Sequence, residues 1–133
     1  MTTKVFLHSP EAIARHLRRD IEPDGFDSNG ARFVLCDNRN QVLVHCHVGD
    51  VPTDISPSEC VRTLSLFAHT ISAGGDGALL VALTRPGPPT LTPADARWFR
   101  AAHRACAEHE VRLLGVHIVT PHGLREVVLD DAL

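Results

Sequence analysis

Long apolar runs are absent from this sequence of 133 residues. No run approaches the roughly 18 residues that a membrane-spanning helix needs, and residues 1–8 contain no apolar segment of signal-peptide length. An excess of basic residues is also lacking, because the formal net charge is -3 at pH 7. The sequence therefore predicts a cytoplasmic protein without membrane contact, and its charge argues against a nucleic-acid partner.

The four cysteines, Cys36, Cys46, Cys60 and Cys106, contain no C-x-x-C pair. In a cytoplasmic chain this scatter favours small buried apolar residues over a disulfide or zinc framework. A nucleophile elbow, a phosphate-binding loop and the H-x-E and P-C-x-x-C motifs of zinc deaminases are missing as well. These absences exclude the corresponding enzyme classes, and the residues by themselves predict no cofactor.

Three helix starts and five strand-like runs predict one layered α/β domain over residues 1–133. A hydroxyl residue followed by proline opens each helix, at Ser9-Pro10, Ser56-Pro57 and Thr92-Pro93, which suits an N-cap and the first helical position. Apolar runs typical of strands lie at 31–36, 42–48, 77–83, 111–119 and 124–129. The order is helix, hairpin, helix, strand, helix, strand, strand, so we predict a mixed β-sheet flanked by helices.

Side chains of the second hairpin strand, 42–48, are expected to alternate between the two faces of the sheet. One face then carries four small apolar residues, Val42, Val44, Cys46 and Val48. The other carries Leu43, His45 and His47. The two histidines are either metal ligands or polar residues on the less buried face of a strand.

The segment 77–95 joins an apolar strand, a proline-rich loop and the capped start of a helix. In open α/β sheets, ligands bind at loops between the carboxyl end of a strand and the N-terminus of a helix. We therefore predict the site here, with the candidate residues Arg85, Gly87, Thr92 and Asp95. Local physics also explains Thr92 and Asp95 as an N-cap and an N3 carboxylate. Arg85 either binds a carboxylate or phosphate or is solvated.

This order and this loop resemble the JAB/MPN metalloprotease-like domain of the RadC family over nearly the whole chain. In their central loop, domains of that family carry H-x-H-P-S-G, four residues, and then S-x-x-D. Laid on this sequence without a gap, the motif places its glycine on Gly87, its serine on Thr92 and its aspartate on Asp95. The family's proline-threonine pair is matched by Pro89-Thr90. The resemblance implies a JAB/MPN architecture, which is cytidine-deaminase-like.

The resemblance breaks at the metal ligands. In active members two histidines and the aspartate hold zinc. Here the histidine positions fall on Ala82 and Thr84, and Arg85 replaces the motif's proline. Alanine has no donor atom, and a threonine hydroxyl is a poor zinc ligand. The family's catalytic glutamate comes from the second hairpin strand, close to His45 and His47, but residues 42–48 contain no acidic residue.

The resemblance and the lost ligands together imply a catalytically degenerate, metal-free domain that binds or scaffolds a protein partner or a second copy of itself. The alternative is a zinc-dependent metallopeptidase or isopeptidase whose metal site has moved onto His45, His47 and Asp95, with Thr92 stabilising an oxyanion. A third hypothesis, a role in DNA repair, follows from the family's name alone, and the acidic balance argues against direct DNA contact.

Overall fold

A computed structural model describes residues 4–21 and 28–128. Three helices lie at Pro10–Ile21 (α1), Pro57–Ala73 (α2) and Pro93–Glu108 (α3). Five strands lie at Gly30–Cys36 (β1), Val42–Val48 (β2), Ala78–Thr84 (β3), Arg112–Thr120 (β4) and Gly123–Glu126 (β5). The predicted order of helices and strands is confirmed. The predicted end of the last strand, at Leu129, lies outside the described residues.

The strands form one mixed sheet in the order β2-β1-β3-β4-β5. β3 and β4 are parallel, and the other neighbouring pairs are antiparallel. β1 and β3 are buried along their whole length. Such burial is expected for apolar strands in the middle of a sheet that is covered on both faces. The prediction of a mixed sheet flanked by helices is therefore confirmed.

Helices cover both faces of the sheet. α2 and α3 pack together against one face, where Phe33 and Val81 belong to the larger apolar cluster. α1 covers the opposite face, where Ile13 and Leu17 cluster with Leu80. Because the side chains of a strand alternate, successive residues of β3 serve two separate cores. The result is three layers, with the sheet between α1 and the α2–α3 pair.

Hydrogen bonds confirm the predicted helix starts. Ser9 Oγ accepts from the Ala12 N–H at 3.1 Å, and Ser56 Oγ accepts from the Glu59 N–H at 3.1 Å. Each hydroxyl satisfies a backbone donor that the first helical turn leaves without an intrahelical acceptor. None of the helices within the described ranges is both long enough and apolar enough to cross a membrane.

The predicted faces of β2 are wrong at one residue. The register shifts between Leu35 and Cys36, so that Val44 pairs with Leu35 whereas Val42 pairs with Cys36. Val42 therefore packs with the α1 cluster, whereas Cys46 packs with the α2–α3 cluster. The physical reason is a β-bulge, which adds one residue to a strand and breaks the alternation of side chains at that point.

Candidate functional site

A cleft of about 610 Å³ opens at the carboxyl end of β3. β1 runs antiparallel to β3, so its first residue, Gly30, lies at the same end of the sheet. The starts of α2 and α3 and the segment 51–55 complete the walls, and Leu83 and Trp98 add apolar surface. The cleft therefore lies at the loop where a site was predicted, and its volume is within the range of ligand-binding pockets.

Arg85 and Asp95 form a bidentate ion pair in the wall of this cleft. Arg85 Nη1 donates to Asp95 Oδ1 at 2.8 Å, and Nη2 donates to Oδ2 at 2.7 Å. Asp95 is 1% exposed, and the Arg85 side chain is 16% exposed. Arg85 Nη2 also donates to the carbonyl oxygen of Thr90 at 2.7 Å. The planar guanidinium matches a carboxylate with two parallel hydrogen bonds, which makes this a strong form of ion pair.

The Asp95 carboxylate also takes part in capping the start of α3. Asp95 Oδ2 accepts from the Thr92 N–H at 2.7 Å, and Thr92 Oγ1 accepts from the Asp95 N–H at 3.4 Å. These reciprocal bonds form a capping box, as local physics predicts for this pair. Both carboxylate oxygens of Asp95 are therefore bound by the chain itself, and the Thr92 hydroxyl serves as the cap.

The residues at the motif's three ligand positions do not fit a zinc ion. Ala82 packs with the α1 cluster, and Thr84, two residues further along β3, shares its strand face and also lines the cleft. They are 0% and 6% exposed. The third position, Asp95, is already bound to Arg85 through both oxygens. Within residues 4–21 and 28–128, no three His, Cys, Asp or Glu side chains form a group that could hold a metal ion.

His45 and His47 lie on the face of β2 that α1 covers, because they pair with β1 residues on that face. A hydrogen bond of 2.8 Å joins the Nε2 atoms of His45 and His16, and the two rings stack with their centroids 5.0 Å apart. Asp95 lies in the first turn of α3, which packs on the opposite face of the sheet. The structure therefore brings His45 together with α1 and does not bring the two β2 histidines together with Asp95.

Polar contacts continue from this histidine pair. Asp20 Oδ2 lies 3.9 Å from His45 Nε2 and 3.3 Å from Arg32 Nη1. Burial lowers the pKa of His16; His45 and Arg19 lower it further, whereas Asp20 raises it. The folded protein therefore favours neutral His16, and the hydrogen bond between His16 and His45 ties α1 to β2.

Gly87 serves the backbone turn of the proline-rich loop. Its φ is 88°, in the left-handed region that glycine adopts without the steric penalty of a side chain. A Cβ atom at this position would meet nothing within 4 Å, so the surrounding space does not require glycine. The backbone conformation alone explains the residue at the motif's glycine position.

Two contacts between distant segments have no signal in the sequence. Arg97 Nη2 donates to the carbonyl oxygen of Thr53 at 2.8 Å and thereby ties α3 to the 51–55 wall of the cleft. The contact between His16 and His45 is the second. Each contact joins segments that are far apart in the sequence, so the spacing within a single helix or strand carries no sign of it. One local signal does exist for the 51–55 wall. The predicted helix start at Ser56 follows it directly and so indicates that this wall lies near a helix N-terminus.

Comparison with protein-family models and with curated proteins found no match to this chain. The side chains of the site therefore define its chemistry. They form a buried ion pair, a capped helix start and an apolar wall.

Replacing Arg85 by alanine should lower the free energy of unfolding by about 3 kcal/mol, because it leaves the buried Asp95 carboxylate without its cation. The matched control is Arg104→Ala, which removes an exposed ion pair with Glu108 from α3, the helix that also contains Asp95. That control should change the free energy of unfolding by less than about 0.5 kcal/mol. Urea denaturation measures both. Equal losses in the two variants would contradict the structural importance of the pair.

Stability should fall as the pH drops below the ordinary histidine value of about 6.5, because the folded state lowers the pKa of His16 and so binds its proton less readily than the unfolded chain. The loss should continue until the pH passes below the lowered, folded-state pKa. Since His16 is only half-buried, its contribution to the slope should stay below about 1.4 kcal/mol per pH unit. Urea denaturation at several pH values should show a smaller slope for His16→Gln, and the wild-type slope for the exposed control His122→Gln.

Proposed function

We propose that this chain is a degenerate, metal-free RadC-like JAB/MPN domain that acts as a binding or scaffolding module for a protein partner. Two features support the family. The order of helices and strands is the order that the resemblance implies. Gly87, Thr92 and Asp95 also occupy a turn, an N-cap and an N3 position, which suit the motif's strand–loop–helix context.

The ion pair between Arg85 and Asp95 carries the proposal. A carboxylate that is 1% exposed needs a compensating cation, because an isolated buried charge is strongly unfavourable. In active members of the family, zinc is the cation at this carboxylate. Here a guanidinium from the motif's proline position neutralises it. Asp95 therefore keeps a cationic partner and its helix-capping role without any metal ion.

The positions of the two β2 histidines give no support to the peptidase alternative. Metal-assisted hydrolysis needs a metal ion that lowers the pKa of a bound water, and the ligand positions at Ala82 and Thr84 supply no imidazole. An imidazole elsewhere could still serve as a general base. His45, however, contacts α1, on the opposite face of the sheet from α3.

The cleft offers a binding surface. Leu83 and Trp98 contribute apolar contacts, and the polar groups of Arg85 and Asp95 lie beside them. Apolar walls with a small number of oriented polar groups are typical of sites that bind a ligand specifically. We infer that a side chain or a short extended segment of a protein partner enters this cleft.

Elemental analysis of protein purified without a histidine tag, after incubation with excess zinc and dialysis, should find far less than one zinc ion per chain. The physical reason is that Asp95 is bound to Arg85 and that no imidazole stands at the motif's other two positions. A measured content of about one zinc ion per chain that is lost in Asp95→Asn would contradict the metal-free proposal. It would also justify a screen of peptide and isopeptide substrates.

A photo-crosslinking amino acid placed at Asp54, an exposed residue in the wall of the cleft, should form an adduct with a partner protein in extracts of the native host. Excess unlabelled wild-type chain should suppress the adduct, because binding to the cleft is saturable. The same amino acid at Glu108, which is exposed at the far end of α3, serves as the control and should give no such adduct. Identical adducts from both positions, or none from Asp54, would contradict binding at the cleft.

A further inference from the structure

The outer side of β2 forms one edge of the sheet. β2 is the terminal strand of the sheet, so β1 pairs with one side of it. On the other side, the N-terminal segment pairs with the first residues of the strand, through Phe6 opposite Gln41 and the Val42 N–H donating to the Val5 carbonyl. Within residues 4–21 and 28–128, no strand pairs with the outer side of residues 43–48.

This edge lacks the charges that usually protect an exposed strand. Residues 40–49 contain no Asp, Glu, Lys or Arg. Three large apolar side chains are exposed there instead: Leu43 by 60%, Val44 by 47% and Val48 by 42%. Natural edge strands are commonly blocked by lysine, proline, a bulge or a covering segment. Here the bulge lies at the start of the strand, and so does the part of the covering segment that the structure describes. Among residues 4–21 and 28–128, the rest of the edge has no pairing strand.

We propose that β2 pairs edge to edge with β2 of a second copy of this chain, antiparallel and with the two-fold axis at Cys46. The pairing joins two five-stranded sheets into one continuous sheet. It goes beyond the proposed function and does not depend on it, because none of residues 43–48 lines the cleft. Whether Asp95 binds a metal ion therefore does not affect the proposed dimer.

The orientation of the backbone permits this axis. A Cβ atom built on Gly30 would lie 3.3 Å from the Val48 carbonyl oxygen, so that oxygen points toward β1. Since backbone groups alternate along a strand, the N–H and C=O groups of His45 and His47 point outward. An axis at Cys46 sets His45 of one copy opposite His47 of the other, twice. Each such pair exchanges two hydrogen bonds, which gives about four in total.

The side chains are self-complementary about the same axis. Val44 and Val48 lie on the face of the α2–α3 cluster, because both pair with β1 residues of that cluster. With the axis at Cys46, Val44 of each copy lies opposite Val48 of the other. These apolar pairs carry no charge that would repel a second copy or select an oppositely charged partner. A two-fold contact of one surface with itself is also the commonest form of homo-oligomer.

Cys46 provides an independent measure of the axis. Directly opposed residues that do not exchange hydrogen bonds have Cα atoms about 4.5 Å apart, within the range of a disulfide. Cys46 is partly exposed, whereas the other three cysteines are buried. Burial raises the pKa of Cys36 to about 12 and the pKa values of Cys60 and Cys106 to about 11. Those three therefore remain unreactive thiols.

Sedimentation velocity over a concentration series tests the contact. The wild-type mass should rise toward twice the chain's 14.5 kDa as the concentration increases. The pair Val44→Lys with Val48→Lys opposes like charges twice and should raise the dimer dissociation constant about tenfold or more. The pair Val44→Lys with Val48→Glu opposes unlike charges in the same register and should restore much of the association. Leu66→Lys, at an α2 residue that is 63% exposed, is the control and should dimerise like the wild type.

Oxidation with diamide provides the second readout. The two Cys46 thiols lose two electrons and two protons to the N=N bond of diamide, which becomes the hydrazine, and a disulfide-linked dimer forms. Cys46→Ser should abolish this product, whereas Cys106→Ser should not. A wild-type chain that stays monomeric at high concentration would overturn the proposal. A dimer that is indifferent to both charge pairs, or a diamide product that persists in Cys46→Ser, would do so as well.

Discussion

Burial of β3 on both faces is the constraint on which the rest of the structure depends. A seven-residue apolar strand without an exposed face needs a packing layer on each side. α1 forms one of these layers, and α2 with α3 forms the other. Because β3 leads directly into α3 through the proline-rich loop, this arrangement also places a strand end, a loop and two helix starts around one cleft. The position of the cleft thus follows from the need to cover the central strand.

The buried carboxylate of Asp95 links this architecture to function. Its position at the start of α3 makes it a helix cap, and its burial makes a cation necessary. A metal ion and a guanidinium can each neutralise it, but they have different chemical consequences. A metal ion with an open coordination position can activate water, whereas Arg85 fills the same electrostatic role with no site for a nucleophile. This difference is the physical basis for proposing a binding module in preference to a hydrolase.

The cleft and the β2 edge suggest two separate uses of one sheet. The cleft lies at the carboxyl end of β3, and its lining includes none of residues 43–48. A second copy on the β2 edge would therefore use surface that the cleft does not need. In the proposed dimer each copy would keep its own cleft. A scaffold built this way would present two partner sites related by a two-fold axis.

Much of the fold could be predicted from the sequence, because local signals carry it. The hydroxyl–proline pairs marked the starts of all three helices, and apolar runs between turn residues marked the strands. The capping roles of Thr92 and Asp95 were likewise readable from their spacing of three. The face of Val42 was not, because a bulge depends on how two strands pair and leaves no mark on the apolar pattern of either sequence segment.

The candidate site, like the fold, was determined partly by the sequence and partly by the tertiary structure. The sequence by itself determined which chemical groups stand at the end of β3 and in the loop, including the absence of an imidazole at Ala82 and Thr84. Only the tertiary structure decided what those groups do: that the Arg85 guanidinium binds both oxygens of Asp95, and that His45 contacts His16. Such pairings depend on distance and burial in the folded chain. Periodicity and spacing report the contacts within one element, whereas these contacts form between elements once the layers pack.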